Sequence, residues 1–96
     1  MLMVTIRPHA KNDLQRIWQY TEAQWGDKQA DRYLWKLNDS IEFLAENPKA
    51  GMPIDFVRSN YLKYSTRRHI IVYTYTTDKL EIVRVLAAAM DLQANL

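Results

Sequence analysis

Residues 30–45 read ADRYLWKLNDSIEFLA, and no other stretch decides the fold as clearly. Its apolar side chains recur every three or four residues, which is the spacing of one face of an α-helix. The members of this stripe are Ala30, Tyr33, Leu34, Leu37, Ile41, Leu44 and Ala45. The stretch therefore predicts an amphipathic helix that buries one side against another layer of the protein.

A second helix is predicted immediately before this one. Pro8 suits the first turn of a helix, and Gly26 marks its end. The apolar positions between them are Ala10, Leu14, Ile17, Trp18 and Thr21. Asp27 is expected to cap the following helix, because its carboxylate can accept hydrogen bonds from the first backbone N–H groups. The short connection at Gly26 predicts an antiparallel helical hairpin.

The sequence after residue 60 changes to a period of two, which is typical of strands. Three runs are rich in Ile, Val, Thr and Tyr: Tyr61–Tyr64, His69–Thr76 and Lys79–Leu86. Ser65–Arg68 and Thr77–Asp78 are the predicted turns between them. With a first short strand at Met3–Arg7, the order is β-α-α-β-β-β. This predicts an α+β fold with an antiparallel sheet packed against an N-terminal helical hairpin.

Length and composition bound the class of protein. The 96 residues are 48% apolar and 25% charged, which predicts one globular domain over residues 1–96. The absence of cysteine excludes disulfides and thiolate chemistry. The start of the chain does not read as a signal peptide, and no apolar run is long enough for a bilayer. We therefore expect a soluble cytoplasmic protein without a membrane segment.

Positive charge is concentrated in the second half of the chain. Residues 1–48 contain six Lys/Arg and seven Asp/Glu, whereas residues 49–96 contain seven and four, so the halves carry −1 and +3. No acidic residue occurs between Val57 and Thr76. The cations of that stretch are Arg58, Lys63, Arg67 and Arg68, together with His69. This asymmetry indicates either an anionic partner or a solvated face of the sheet.

The residues that carry common enzyme chemistry do not form a recognisable motif. His9 and His69 stand sixty residues apart, and no carboxylate–histidine motif is present, so neither a metal nor another cofactor is expected. Ser40 and Ser59 lack the flanking glycines of a nucleophile elbow. No residue is therefore assigned a catalytic role.

Arg84 and Trp35 are the two unusual residues of the pattern. Arg84 interrupts an apolar strand, where a guanidinium must find an anion or reach solvent. One interpretation is an ion pair with Glu81 or Asp91; the other is a site for phosphates or an acidic partner segment. Trp35 lies outside the main helical stripe, which predicts an exposed contact residue.

Several segments, taken together, resemble the ParE toxins of bacterial toxin–antitoxin pairs, within the wider RelE/ParE superfamily. In order they are DLQRIWQY (13–20), WGDKQADRYLWKL (25–37), LAENPKAG (44–51), RRHIIVY (67–73) and EIVRVLAAAMD (81–91). The resemblance covers residues 3–92. Its most specific part combines His69-x-x-x-Tyr73 with the closing Arg84-Val85-Leu86 and Met90-Asp91.

The resemblance implies the same β-α-α-β-β-β fold and a toxin neutralised by a cognate antitoxin in a hetero-oligomer. ParE-type members act on DNA gyrase and are not known as enzymes. RelE-type relatives cut mRNA on the ribosome with a Tyr or His-Tyr pair near the end of the last strand. Residues 86–90 contain neither Tyr nor His, which favours gyrase inhibition over mRNA cleavage.

The chain departs from the ParE pattern at Ala87, Ala88 and Ala89, where members often read Leu-His-x-x-Met-Asp. Either this lineage lost the polar group, or the alanines were introduced to reduce toxicity. In both cases the alanine block lies in a segment related to toxicity. A third hypothesis is therefore a toxin fold that has no activity. The residues expected to bind target or antitoxin are Trp35, Arg58, Lys63, Arg67, Arg68, His69, Arg84, Met90 and Asp91.

Overall fold

Five strands and three α-helices follow one another along residues 1–96, all of which the computed structural model describes. In chain order they are β1 (Met3–Ile6), α1 (Pro8–Trp25), α2 (Asp27–Glu46), β2 (Met52–Pro53), β3 (Leu62–Ser65), β4 (His69–Tyr75), β5 (Lys79–Ala87) and α3 (Leu92–Asn95). A 3₁₀ turn at Pro48–Ala50 precedes β2. The predicted α+β class and element order are confirmed, and the structure adds the two-residue β2.

The sheet is mixed, with the strand order β1-β5-β4-β3-β2. Strands β2 to β5 are antiparallel, as predicted, but β1 runs parallel to β5, so the prediction of a wholly antiparallel sheet was wrong for β1. A tight hairpin turn forces its two strands to be antiparallel, whereas β1 is separated from the other strands by the helical hairpin. No local turn therefore fixed its direction.

The helical hairpin covers one face of the sheet. The predicted stripe of α2 is confirmed, because Leu37, Ile41 and Leu44 are buried in one cluster with Ile71 and Ile82 of the sheet. Tyr33 and Leu34 of the same stripe are half-buried. Both long helices are amphipathic, and none of the helices is long and apolar enough to cross a membrane.

The opposite face of the sheet is covered by the loop before β3 and by the C-terminal tail. Ile54, Ile70, Val72 and Val83 form a second buried cluster there. The partly buried side chains that pack on it are Val57, Tyr61, Leu92 and Leu96. Strand β4 is therefore buried on both faces, as its continuous apolar sequence predicts.

Gly26 joins the two long helices in a conformation that suits glycine. Its φ is +91°, and its N–H donates to the carbonyl of Glu22, which ends α1. Gly26 is also the residue before the first turn of α2, so the predicted capping role of Asp27 was wrong. Asp27 is instead the first residue of the helix, where its negative charge stabilises the positive end of the helix dipole.

Tyr73 fixes the connection between α2 and β2 from inside the core. Its buried hydroxyl donates to the carbonyl of Pro48 at 2.7 Å and accepts from the N–H of Gly51 at 2.9 Å. A Cβ at Gly51 would lie 2.8 Å from the carbonyl oxygen of Lys63, so only glycine fits there without a shift.

Candidate binding groove

A groove of about 880 Å³ opens beside the tip of the helical hairpin. Its walls come from four parts of the chain: α1 from Asp13 onward, the first half of α2, the β3–β4 turn, and the end of β5 with the residues that follow it. We call this feature the hairpin groove. Its volume lies within the range of ordinary ligand sites.

An ion pair between Asp13 and Arg84 joins α1 to β5 at the base of the groove. Arg84 Nε donates to Asp13 Oδ2 at 2.7 Å, and Arg84 Nη2 donates to Asp13 Oδ1 at 2.9 Å. The Val85 N–H also donates to Asp13 Oδ2, at 2.9 Å. The Asp13 carboxylate therefore neutralises the guanidinium and accepts a hydrogen bond from the backbone of β5 at a position beyond the end of β1.

This pair replaces the partners predicted for Arg84. The sequence suggested Glu81 or Asp91, but Glu81 pairs with Arg7 and the Asp91 carboxylate accepts from the Gln93 N–H at 3.0 Å. The hydrogen bonds to Asp13 raise the pKa of Arg84. Because Nη1 also donates to the carbonyl of Asn95, all three nitrogens of the Arg84 guanidinium have partners within the chain, and its role in binding a partner stays a prediction.

Four cations on the walls of the groove have no such partner. Arg16 comes from α1, Lys36 from α2, and Arg67 and Arg68 from the β3–β4 turn. None of them forms a salt bridge, and Asp13 is the only carboxylate among the lining residues. Because Asp13 is neutralised by Arg84, the groove carries an uncompensated positive charge that favours anions.

Exposed aromatic rings stand beside these cations. Tyr20 and Trp25 are 63% and 58% exposed, which is unusual for side chains of their size. The Arg68 guanidinium carbon lies 5.8 Å from the centroid of the Trp25 ring, within the range of a cation–π contact. The groove thus combines positive charge with flat apolar surface.

His69 and Tyr33 form a neutral polar pair in the groove. The Tyr33 hydroxyl and His69 Nδ1 are 2.5 Å apart, and the two ring centroids are 5.5 Å apart. Burial lowers the pKa of His69, and the neighbouring Arg68 lowers it further. Burial also raises the pKa of Tyr33, so both side chains are uncharged at neutral pH.

The alanine block lies at the end of β5, next to the β3–β4 turn. Ala87 and Met90 line the groove, and the Ala88 N–H donates to the Arg68 carbonyl at 2.9 Å. This bond involves only backbone atoms, so it does not depend on the side chain at position 88. Ala89 is exposed and does not line the groove.

Four of the predicted binding residues lie elsewhere, and one of them, Asp91, caps α3 by accepting from the Gln93 N–H. Trp35 is 68% exposed on α2, as expected for a contact residue, but it is outside the groove. Lys63 pairs in register with Val72 and shares its face of the sheet, opposite the helices. Arg58 stacks on Tyr61 on that same side. The predicted basic surface is therefore divided between the two faces of the sheet.

Sequence reasoning missed several residues of the groove. Asp13 stands three residues after Ala10 and four before Ile17, so its spacing already placed it on the buried face of α1. Other lining residues share helical spacing: Arg16 with Tyr20 on α1, and Gln29, Tyr33 and Lys36 on α2. These side chains become one site only when the hairpin is placed over the sheet.

The chain matches the family model described as the ParE toxin of the type II toxin–antitoxin system parDE, over residues 4–92. It is 38% identical over 87 residues to Toxin ParE1 of Caulobacter vibrioides, covering 91% of this chain and 90% of that protein. It is 37% identical over 92 residues to Toxin ParE1 of Mycobacterium tuberculosis, covering 95% and 94%.

A solved structure titled as the chromosomal ParDE TA system from P. aeruginosa has the same fold, with a TM-score of 0.78. That alignment covers 91% of this chain and 96% of the solved chain, at 16% sequence identity. The structural likeness supports the fold, and the family model and the curated relatives establish the family. This chain belongs to the ParE toxins of type II toxin–antitoxin systems.

Proposed function

We propose that this chain inhibits DNA gyrase without catalysing a reaction, and that a cognate antitoxin holds it inactive in a hetero-oligomeric complex. A gyrase inhibitor acts where the chromosome is replicated, so the proposal places the chain in the cytoplasm. Membership of the ParE family supports the proposal. The residues at the end of β5 support the non-enzymatic reading, because positions 87–89 are alanines without acid–base capacity.

The single observation that carries the antitoxin proposal is the composition of the hairpin groove. Its free cations are matched by no free carboxylate, and its walls expose the apolar side chains of Trp25 and Met90. A flexible acidic segment with apolar residues on one side is complementary to such a surface. We propose that the antitoxin places a segment of this kind in the groove.

The edge of β5 offers a second contact to the same segment. The pairing of β1 with β5 ends at Ile6 and Ile82, so β5 extends from Val83 to Ala87 without a neighbouring strand on that side, where the Val85 N–H alone is already bonded to the Asp13 carboxylate. An extended chain can pair with such an edge through backbone hydrogen bonds. Helix docking in the groove and strand addition at this edge together form the proposed antitoxin interface.

A second candidate function is cleavage of mRNA on the ribosome, and one observation favours it. The neutral His69–Tyr33 pair lies in the groove that Arg67 and Arg68 also line. A histidine with a lowered pKa can accept a proton, and nearby guanidinium groups can stabilise a phosphate that gains negative charge. In this reading His69 replaces the polar residue that is absent from the end of β5.

One experiment separates the two candidates and the inactive alternative. Purified protein is incubated with gyrase, plasmid and ATP, and separately with a translation extract and a labelled mRNA. A parallel variant carries Ala87→His, Ala88→Ser and Ala89→Arg, which restores polar side chains to the alanine block. We expect loss of supercoiling or cleaved plasmid, with the effect larger for the restored variant.

The other results of these two assays would favour the ribonuclease or the inactive toxin fold. Cut mRNA together with normal supercoiling would contradict gyrase inhibition and support the ribonuclease. A His69→Gln variant that still cut mRNA would exclude the proposed histidine. Silence of both forms in both assays would leave a toxin fold that binds an antitoxin without toxicity.

Affinity for the antitoxin tests the interface. The variant Arg67→Glu/Arg68→Glu reverses two groove cations, whereas Lys11→Glu/Lys49→Glu reverses two exposed cations outside the groove. We expect the first to weaken the complex at least tenfold and the second to change it little, measured by calorimetry. Alanine at Trp35 and Arg58 measures whether the interface extends to these two predicted contact residues. An unchanged affinity of the first variant would contradict docking in the groove.

A further inference from the structure

We infer that the hairpin groove is a binding site for single-stranded nucleic acid. Phosphates lie against the free cations of its walls, and an unstacked base lies on the ring of Trp25. The inferred binding does not require gyrase, because the proposed ligand is a short oligonucleotide that contacts this chain directly. If the antitoxin docks as proposed above, then antitoxin and nucleic acid exclude each other from this surface; that step alone rests on the proposed function.

The distribution of charge fits a polyanion. The four free cations stand on different walls of the groove: Arg16 and Lys36 on the helices, and Arg67 and Arg68 on the β3–β4 turn. A single phosphate cannot contact cations on every wall, whereas a chain of phosphates that follows the groove can. Arg67 and Arg68 are exposed, so their guanidinium groups are not committed to the core.

The aromatic side chains fit bases without their partners. Trp25 is a little over half exposed and already has the Arg68 guanidinium near its ring. Arginine beside an aromatic ring is a platform on which a base can stack, and base–aromatic stacking tolerates any sequence. In a duplex both faces of each base are covered by neighbouring bases, so Trp25 can stack only with an unpaired strand.

The neutral pair offers contacts to the edges of a base. When the Tyr33 hydroxyl donates to His69 Nδ1, the other ring nitrogen of His69 carries a proton and is a donor. Gln29, which also lines the groove, provides both a donor and an acceptor. These uncharged groups have complementary hydrogen-bonding partners on nucleobases. An acidic peptide segment needs only the cations and the apolar surface of the groove.

Fluorescence anisotropy of labelled fifteen-nucleotide strands tests the inference directly. The probes are oligo-dT, oligo-U and a DNA duplex of equal length. We expect both single strands to bind more tightly than the duplex at low salt. If all four cations contact phosphates, log K falls with log salt concentration at a slope of about −2.8, which is roughly 0.7 for each contact. A difference between oligo-dT and oligo-U tells whether the 2′-hydroxyl is recognised.

Two matched pairs of variants locate the site. Trp25→Leu removes the stacking ring, and Phe56→Leu removes an aromatic ring that is 72% exposed outside the groove. We expect roughly tenfold weaker binding of oligo-dT to the first and no change in the second. Arg67→Ala should lower the magnitude of the salt slope by about 0.7, whereas Lys49→Ala should not change it.

Three outcomes would overturn the inference. The first is no binding of either single strand at low salt. The second is equal binding of strand and duplex with no effect of Trp25→Leu, which indicates non-specific charge attraction only. The third is an acidic amphipathic peptide that binds the groove while the oligonucleotides do not, which identifies a site for protein alone. Failure of gyrase inhibition leaves these results unaffected, so the two proposals fail separately.

Discussion

Two sets of arginines in this chain differ in what they face. Arg84 and Arg7 each reach a carboxylate of another element, Asp13 and Glu81 respectively. Arg67 and Arg68, together with the other free cations of the hairpin groove, form no salt bridge within the chain. The first set joins parts of the fold, whereas the second set is available to a partner.

The difference shows that an arginine in an unexpected place is not by itself a sign of function. Arg84 interrupts an apolar strand, which suggested either an ion pair or a site for an external anion, and its partner is a buried aspartate more than seventy residues earlier in the chain. Arg67 and Arg68 stand in an ordinary turn. What separates them is the presence of an internal anion, because a guanidinium with a bidentate carboxylate has little capacity left for a ligand.

The largest effect is expected when the internal anion of Arg84 is removed. Asp13→Ala leaves the guanidinium, whose side chain is 20% exposed, and the Val85 N–H without their acceptor. Breaking a largely buried pair of this kind lowers the free energy of unfolding by about 3 kcal/mol. Urea denaturation monitored by circular dichroism measures the loss.

A double variant provides the control for this prediction. Asp13→Leu/Arg84→Met replaces both charges with apolar side chains, so no charge is left without a partner. We expect it to be clearly more stable than Asp13→Ala. If Asp13→Ala unfolds like the unchanged protein, the pair does not join α1 to β5 in the way described, and Arg84 returns as a candidate binding residue.

Tyrosines show the same contrast on a smaller scale. The Tyr73 hydroxyl bridges Pro48 and Gly51, whereas the Tyr20 hydroxyl forms no hydrogen bond within the chain. Tyr73→Phe leaves a carbonyl and an N–H without their shared partner, and we expect a loss of about 1–3 kcal/mol. Tyr20→Phe should change the free energy of unfolding by less than about 0.5 kcal/mol. Equal values for the two variants would contradict the bridging role.

Much of the fold was predictable from the sequence because its signals are local. The stripe of α2 and the alternating strands depend on neighbours within a few residues, and both were confirmed. The direction of β1 was not predictable, since it depends on where the helical hairpin returns the chain. The role of Gly26 as the residue before α2 was also missed, because Asp27 has a residue type that is common at that position.

The site was harder to predict because it is assembled from distant segments. Arg67, Arg68 and His69 were identified from a run of charge, and they do line the groove. Arg16 and Lys36 belong to helices that carry no net positive charge, since α1 is neutral and α2 carries −2, so composition gave no reason to select them. Their importance arises only from the relative position of the hairpin and the β3–β4 turn, which no local pattern encodes.

His69 differs from both sets of arginines, because it lines the groove but is half-buried and uncharged. Its pKa is lowered, so below about pH 6.5 the unfolded chain binds a proton that the folded chain does not. The free energy of unfolding should therefore fall as pH decreases through this range. His69→Gln should remove this part of the slope, and His9→Gln, at an exposed position, should keep it. A slope unchanged by His69→Gln would show that another group is responsible.

The smallest effect on stability is expected at the free arginines, and it is the sharpest test of the contrast. Arg67→Ala/Arg68→Ala removes no internal ion pair and no buried contact, so the free energy of unfolding should change by less than about 0.5 kcal/mol. The same variant should lose most of its affinity for an anionic ligand of the groove. A loss of stability near that of Asp13→Ala would mean that these arginines also support the fold, and the distinction between the two sets would fail. Unchanged stability together with lost binding would show that the positive charge of Arg67 and Arg68 serves a ligand and is not needed for folding.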